Sequence, residues 1–259
     1  MKRSLVKEGV LLAGTCLISL SARAGDSNFE IIVHPSETVE AGHAAMELHS
    51  NMTMSGATQK IDGVLPSRHA LNESLEVAYG VSSWFEASVY SAVSVQPGMD
   101  GQWVGERIFP RVRAPEAWGL PVGLGFATAI TYQRRAFSTD TWTLELVPIL
   151  DKRWGPWYFS VNPAVGRSLR GENTGHGWEF SPSLKGSYDI TRKVAIGIEY
   201  YSSFGPLSGF DPVREQQHQL FSVVDLILAP EWEVNFGAGV GLTGATDAFV
   251  LKMILGRKF

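Results

Sequence analysis

The stretch WEVNFGAGVGLT, residues 232–243, alternates between large apolar side chains and small or polar ones. In an extended chain Trp232 and Phe236 would share one face and Glu233 and Asn235 the other, because successive side chains of a β-strand point to opposite faces. Strands of transmembrane barrels are about ten residues long, with apolar side chains toward lipid and polar or small ones toward the lumen. This stretch therefore predicts a membrane-spanning β-strand.

The same alternation recurs along the chain after residue 43. It is clear in residues 44–54, 71–79, 122–133, 142–146, 157–166 and 194–200, weaker in 85–95, 106–113, 178–188 and 219–228, and present again in 249–259. We therefore predict an all-β fold, an antiparallel transmembrane β-barrel of about twelve strands, with ten or fourteen as the alternatives because bacterial barrels have even strand numbers. No segment after the N-terminal region has 18 consecutive apolar residues, which leaves a closed barrel as the membrane-compatible architecture.

Large aromatic residues lie beside the predicted turns and favour this architecture, since aromatic side chains concentrate at membrane interfaces. They are Trp84, Trp118, Trp154, Trp157, Tyr188 and Trp232. The alternative fold is a soluble β-sandwich, in which tryptophans fill a core between two sheets. The small or polar second faces of the strands favour the barrel.

Four prolines lie inside proposed strands, where each removes a backbone donor and argues against a central strand. They are Pro110, Pro148, Pro163 and Pro182. We expect local bulges or displaced strand ends at these positions.

Residues 1–24 have the features of a secretory signal peptide. Lys2 and Arg3 precede an apolar run over residues 10–20, and small residues near Ala24 suit cleavage after that residue. The apolar run is about half of the roughly 20 residues that a spanning helix needs, so an uncleaved anchor is the weaker alternative. Export of a barrel predicts the outer membrane of a Gram-negative cell.

The amino-acid composition limits the partners and the kinds of site that we expect. Cys16, the only cysteine, lies in the predicted signal, so the mature chain is expected to lack a thiol, a disulfide and a cysteine metal site. The chain has 22 Lys and Arg against 26 Asp and Glu, and the signal would remove more basic than acidic residues. Nucleic acid is therefore not an expected partner, because phosphate binding needs clustered cations.

The mature chain divides into a short leader and the barrel. Residues 25–42 are polar apart from an apolar patch at residues 29–33, and they are either a disordered periplasmic leader or a small plug that enters the lumen. Residues 43–259 form the predicted outer-membrane barrel. A plug would make any transport gated.

No catalytic, cofactor or metal site is predicted, and we therefore do not expect an enzyme. Some twelve-stranded outer-membrane barrels are phospholipases with Ser and His on one lipid-facing edge, which residues 49–51, His-Ser-Asn, superficially match. Neighbours on a strand point to opposite faces, however, so His49 and Ser50 cannot meet one substrate without a bulge. None of the six histidines has a tight metal-ligand spacing to another. The glycines of residues 237–241 fit small lumen positions better than a phosphate loop.

Charged and amide side chains on the inward faces are the candidate lumen-lining residues. They are Glu76, Glu86, Arg107, Arg111, Arg113, Glu145, Asn162, Glu179, Lys185, Glu199, Glu233, Asn235 and Lys252. Opposed charges in a narrow barrel have two interpretations. They neutralise one another and fill the lumen, since unpaired buried charge is costly, or they line a water-filled path that selects solutes by charge. We favour structural filling and keep the path as the alternative.

Four short segments carry a resemblance to a known family: LEVAYGV at 75–81, VPIL at 147–150, NP at 162–163 and GRKF at 256–259. Over about Val39 to Phe259 the chain resembles the MetA-like family of outer-membrane proteins associated with phenol degradation. The resemblance implies a monomeric or loosely associated barrel that transports hydrophobic or aromatic compounds, with no catalytic residues to transfer.

These observations lead to one function and two alternatives. The leading hypothesis is a porin-like passive channel for small solutes, including hydrophobic or aromatic ones, without a cofactor. The alternatives are a closed structural or adhesive barrel and, less favoured, a lipid hydrolase. The expected partners are outer-membrane lipid and a small solute. By similarity to outer-membrane proteins in general, they also include periplasmic chaperones and the barrel-assembly machinery, which would read the strand ending at Phe259.

Overall fold

A computed structural model describes residues 29–259, and the predicted signal peptide lies outside these residues. The fold is almost entirely β-sheet. Its strands are β1 Ala44–Ser55, β2 Leu71–Ser82, β3 Phe85–Val95, β4 Gln102–Ile108, β5 Arg111–Arg113, β6 Gly123–Gln133, β7 Asp140–Trp154, β8 Trp157–Gly171, β9 Glu179–Thr191, β10 Val194–Ser203, β11 Gly205–Pro206, β12 Gln217–Ala229, β13 Trp232–Gly241 and β14 Phe249–Lys258. Two short 3-10 turns occupy Glu116–Trp118 and Thr174–His176. Within the described part, no helix is long and apolar enough to cross a membrane.

The strands form one closed antiparallel barrel of twelve strands, which confirms the predicted fold class and strand number. Each strand pairs with its neighbours in sequence, and β1 pairs with β14. The short β4 and β5 together make one barrel strand, as do β10 and β11, because both parts of each pair with the same neighbour.

Burial along the strands shows which way the faces point. On β2, Leu75, Val77 and Tyr79 are 40–50% exposed, whereas Glu76 and Ala78 between them are buried. Apolar side chains therefore lie outside and polar ones inside, the reverse of a soluble sandwich. This pattern is what a strand needs when its outer face contacts lipid.

The short turns lie at one end of the barrel, at residues 83–84, 155–156, 192–193 and 230–231, and the longer loops lie at the other. We call these the turn end and the loop end. The six aromatic residues beside the predicted turns all lie at the turn end, where Trp84, Trp118 and Trp154 are more than half exposed. The connection 114–122 is the long exception at this end.

No bulge occurs at the four prolines, and of the two expected outcomes only a strand end is found, at Pro110 between β4 and β5. Pro110 lies in the short break between β4 and β5, and the register against β3 and β6 continues unchanged across it. Pro163 pairs directly with Pro182. The pairs on either side of Pro148 place it opposite Pro163, with no change of register. Two prolines facing each other lose the same rungs, so the strands stay aligned without those bonds.

Candidate functional site

Residues 29–42 run through the inside of the barrel from one end to the other. At the loop end the ring of Phe29 packs edge-on against Phe137, with centroids 6.2 Å apart. At the turn end the Gly42 N–H donates to the Gly80 carbonyl at 2.8 Å. A Cβ on Gly80 would lie 2.1 Å from the Glu40 carbonyl oxygen, so the wall needs glycine where the segment leaves. We call residues 29–42 the inner segment.

The middle of the inner segment is held through the backbone of His34. Its N–H donates to Oδ1 of Asn162 at 2.7 Å, and its carbonyl accepts from Nδ2 of Asn162 and from the Ser160 hydroxyl, each at 3.0 Å. The His34 ring lies 4.7 Å from the ring of Phe109. Burial lowers the pKa of His34 to about 3, against weaker opposition from Glu30, so the ring is neutral at physiological pH.

Charged groups hold the inner segment to β4. Arg107 forms an ion pair with Glu30 of the segment and contacts Glu145 of the wall at 3.0 Å. Its guanidinium also lies 4.6 Å from the ring centre of Phe109. Arg107 is therefore a bridge between the wall and the segment.

A second arginine repeats this arrangement closer to the turn end. Arg111 pairs with the buried Glu86 at 3.0 Å and donates to the Pro35 carbonyl at 3.3 Å. Glu86 in turn accepts from the Val39 N–H at 2.6 Å. Both members of this wall ion pair thus bond to the backbone of the inner segment.

Asp151 of β7 binds the inner segment through both of its carboxylate oxygens. Its Oδ2 accepts from the Ser36 N–H at 2.7 Å and its Oδ1 from the Ser36 hydroxyl at 2.8 Å. The Tyr158 hydroxyl donates to Oδ2 at 3.0 Å.

On the opposite wall a buried lysine reaches the inner segment. Lys252, fully buried, donates from Nζ to the Ile31 carbonyl at 2.9 Å and forms an ion pair with Glu199. Glu199 also pairs with Lys185 at 3.1 Å, and Lys185 pairs with Asp225 at 2.9 Å. A chain of alternating charges therefore connects β9, β10, β12 and β14 behind the segment.

The inner segment lies between two cavities. The turn-end chamber is about 890 Å³ and the loop-end chamber about 300 Å³. Ile32 lines both chambers, so the segment lies between them. Passage between the two ends of the barrel then requires the inner segment to move or a gap to open beside it.

The predicted lumen residues fall into three groups. Five contact the inner segment: Glu86, Arg107, Arg111, Asn162 and Lys252. Five make other contacts among wall residues: Glu76 with His49, Glu145 with Arg107, Lys185 with Glu199, Glu199 with Lys252 and Asn235 with Asp225. Three lie nearer the ends: Arg113 beside Glu116, Glu179 beside His176 and Glu233 beside Lys258.

Several residues of the site are not among those predicted from the sequence. Asp151 has the inward parity of Glu145, but the clear alternation covered only residues 142–146, whereas β7 continues to Trp154. Asp225 lies in a segment where the alternation is weak. Tyr201, whose hydroxyl donates to Glu199 at 2.6 Å, lies beyond the end of the predicted strand.

His49 and Ser50 lie on opposite faces, as strand parity predicts. His49 is fully buried inside the barrel, and the Ser50 hydroxyl donates to Oε2 of Glu73 at 2.7 Å. With Leu75 and Val77, Glu73 belongs to the outward face of β2. The two side chains cannot act on the same substrate atom in this arrangement.

The comparisons with known proteins concern the fold. No protein-family model matches the chain, and no curated protein matches it. Among solved structures it is similar to the NanC porin, with TM-score 0.53 and 9% identity over 83% of this chain and 98% of that one. It is also similar to a KdgM porin in complex with disordered oligogalacturonate, with TM-score 0.51 and 8% identity over the same shares. The chain therefore has the fold of outer-membrane porins.

Proposed function

We propose that the chain is a passive outer-membrane channel for small solutes, closed in the described state by the inner segment. The observation that carries this proposal is the position of that segment between two chambers that open toward opposite ends of the barrel. A barrel with a purely structural role would not need chambers on both sides of its filling. No cofactor or energy source enters the proposal, and the solute gradient drives the flux.

The lining of the loop-end chamber supports small polar solutes that are neutral or cationic. Its charged residues are Glu30, Glu106, Asp140, Glu145 and Glu179 against Arg107 and Arg167. Most of its remaining wall consists of hydroxyl and amide side chains. A surplus of carboxylates at a constriction repels anions and favours cations. Acidic oligosaccharides are therefore poor candidates for this barrel.

The resemblance to the MetA-like family supports a narrower form of the channel proposal, in which the solutes are hydrophobic or aromatic. Support for it comes from one apolar patch of the inner wall, formed by Tyr90, Phe109, Ala127, Ala129, Val147, Ile149 and Ala164. These side chains are packed and buried while the inner segment is in place. Tyr90, Val147 and Ala164 also line the loop-end chamber, whereas the other four would contact such a solute after the segment has moved.

The cellular setting is part of the same proposal. The outward apolar side chains support residence in outer-membrane lipid, and the porin fold supports assembly by periplasmic chaperones and the barrel-assembly machinery. The turn end would then face the periplasm, and the 890 Å³ chamber would open there.

A reversible lock on the inner segment tests the channel. The double variant Ser36→Cys, Asp151→Cys replaces two side chains that are hydrogen bonded across the segment–wall contact. With Cys16 in the predicted signal, these would be the only thiols of the mature chain. In liposome-swelling assays with small neutral sugars, we expect swelling when the disulfide is reduced and at least about tenfold less when it is oxidised.

The two single-cysteine variants are the matched controls and should swell equally under both redox conditions. Equal swelling of the reduced and oxidised double variant, with the disulfide verified by mass spectrometry, would contradict gating by the segment. The absence of flux from the reduced double variant, the single variants and the unmodified protein, all well folded, would contradict the channel itself.

The closed structural barrel is the second candidate, and one observation favours it. The inner segment is bonded to the wall at Glu86, Asp151, Asn162 and Lys252, on four different strands, which is more than a freely moving gate needs. This candidate predicts no solute-dependent flux in any redox state. The lock experiment therefore separates the two functions.

A further inference from the structure

Three ionisable side chains of the inner wall form a cluster that the proposed channel does not use. Glu47 and His49 lie on β1, and Glu76 lies on β2 directly opposite Glu47. One ligand atom from each, a carboxylate oxygen or an imidazole nitrogen, lies within 4.8 Å of the other two. The side chain of His49 is fully buried and that of Glu76 is 10% exposed, whereas Glu47 is 24% exposed.

The distances inside this cluster are too long for hydrogen bonds. Nε2 of His49 lies 3.5 Å from Oε2 of Glu47 and 3.7 Å from Oε2 of Glu76, beyond the usual N–H···O range of about 2.7 to 3.2 Å. Neither ring nitrogen of His49 has a hydrogen-bond partner, although the ring is fully buried. A buried imidazole is therefore directed at two carboxylates without bonding to either.

The same distances match ligands that share a metal ion. Zinc binds imidazole nitrogen and carboxylate oxygen at about 2.0 to 2.2 Å in tetrahedral geometry, which separates neighbouring ligand atoms by about 3.4 Å. The two observed separations of 3.5 and 3.7 Å are close to that value. An ion between the three side chains would also give Nε2 the partner that it lacks.

The charges around the cluster also support a bound metal ion. Three other inner glutamates have basic partners: Glu30 pairs with Arg107, Glu86 with Arg111, and Glu199 with Lys252. Among residues 29–259, Glu47 and Glu76 form no ion pair with a lysine or arginine. His49 can carry at most one positive charge against these two carboxylates, and burial disfavours the negative charge that remains uncompensated.

We propose that Glu47, His49 and Glu76 form a binding site for a divalent transition-metal ion of the zinc class. The imidazole ligand disfavours calcium and magnesium, which prefer oxygen ligands. Three protein ligands leave one coordination position open for water or a solute group. The ion can reach the site from the turn-end chamber, because Glu47 lines that chamber.

Calorimetric titration of Zn²⁺ into the folded, detergent-solubilised chain, after metal removal by a chelator, tests the site. We expect about one ion per chain, with little competition from a large excess of Mg²⁺ or Ca²⁺. His49→Gln should weaken the affinity at least about a hundredfold and Glu47→Gln at least about tenfold. His176→Gln is the matched control, because His176 is exposed and lies 3.3 Å from the Glu179 carboxylate, outside the proposed site. It should bind as the unmodified protein does.

X-ray absorption at the zinc edge identifies the ligands in the unmodified protein. This test therefore remains valid even if His49→Gln fails to fold. We expect one imidazole among nitrogen and oxygen neighbours. A shell without imidazole would overturn the site, as would the absence of stoichiometric Zn²⁺ binding to the unmodified chain. Unchanged affinity in His49→Gln would also overturn it. Because none of these measurements depends on solute flux, failure of the metal site and failure of the channel remain distinguishable.

Discussion

Buried charged side chains have different kinds of partner in two parts of the inner wall. Around β4, β5 and β14, the basic residues Arg107, Arg111 and Lys252 each bond to the inner segment as well as to a wall carboxylate. On β1 and β2, Glu47 and Glu76 meet only a histidine. In the first region every one of these basic residues is paired when the segment is in place, whereas in the second a single histidine faces two carboxylates. The inner segment is therefore part of the barrel's core, and the β1–β2 cluster is where we propose the metal ion.

Lys252 should be the most costly single residue to remove from the region around β4, β5 and β14. Lys252→Met leaves Glu199 with Lys185 and the Tyr201 hydroxyl as partners and frees the Ile31 carbonyl inside the barrel. Breaking a buried pair costs about 3 to 5 kcal/mol, and we expect about 3 because Lys185 still pairs with Glu199.

The measurement for Lys252→Met is the free energy of unfolding by urea in detergent or lipid. The control is Lys258→Met, since Lys258 contacts Glu233 at 3.6 Å on the exposed turn end and should cost under about 1 kcal/mol. Equal losses in the two variants would mean that the chain of buried charges does not stabilise the barrel.

Asn162 is the next largest contact, and its loss should affect gating as well as stability. Asn162→Ala removes both bonds to the His34 backbone and leaves a buried N–H without its partner, at a cost of about 1 to 3 kcal/mol. Because these bonds exist only when the inner segment is in place, we expect the rate of liposome swelling to rise at least about fivefold.

Asn235→Ala is the matched control for Asn162→Ala, because Asn235 bonds to Asp225 of the wall at 2.7 Å and not to the segment. It should lower stability without raising the swelling rate. A similar rise in both variants would show that flux follows general loosening of the barrel and not release of the segment.

The sequence predicts this fold better than it predicts the contacts inside it. Strand number follows from parity, since each membrane strand must present one apolar and one polar face, and that signal is local. Where it weakens, as at Asp151 to Arg153 near the end of β7, the predicted boundary falls short of Trp154. The bulges expected at Pro148, Pro163 and Pro182 do not occur because these prolines lie opposite one another, which only the strand pairing shows.

The contacts inside the barrel could not be predicted from the sequence, for a different reason. Arg107 pairs with Glu30, which lies 77 residues away, and Asn162 binds the backbone of His34, which lies 128 residues away. The inner segment has no residue periodicity that would indicate its partners on the wall. Contacts to a backbone carbonyl cannot be predicted from the residue type. The composition of the wall could be predicted, and a plug formed by residues 25–42 was one of two alternatives, whereas the contacts between the two could not be predicted.

Acidification should loosen the inner segment through His34. In place, its pKa is lowered to about 3 by burial, whereas a released segment would have the ordinary value of 6.5. Below pH 6.5 the released state binds a proton that the seated state does not, so seating weakens as pH falls toward 3 and is complete above 6.5. The charged groups around His34 are Glu30, Arg107 and Arg111, with His49 beyond them.

Each pH unit below 6.5 can shift this equilibrium up to about tenfold toward release. We therefore expect faster swelling at pH 5 than at pH 7.5. His34→Gln keeps a polar side chain without the titration, so its swelling should change less over this range. An identical pH response in His34→Gln would assign the effect to the carboxylates instead.

The smallest expected effect separates a side-chain bond from a backbone bond at one position. Ser36→Ala removes the hydroxyl that donates to Asp151 at 2.8 Å but keeps the N–H that donates to the same carboxylate at 2.7 Å. A single hydrogen bond contributes about 0.5 to 1.5 kcal/mol, so swelling should rise about two- to tenfold. Ser50→Ala removes a comparable bond, to Glu73 at 2.7 Å on the outer face, and should leave swelling unchanged. If Ser50→Ala raised swelling as much as Ser36→Ala does, the bonds of the inner segment would have no special part in closing the barrel. The region around β4, β5 and β14 would then only fill the barrel and would have no role in gating.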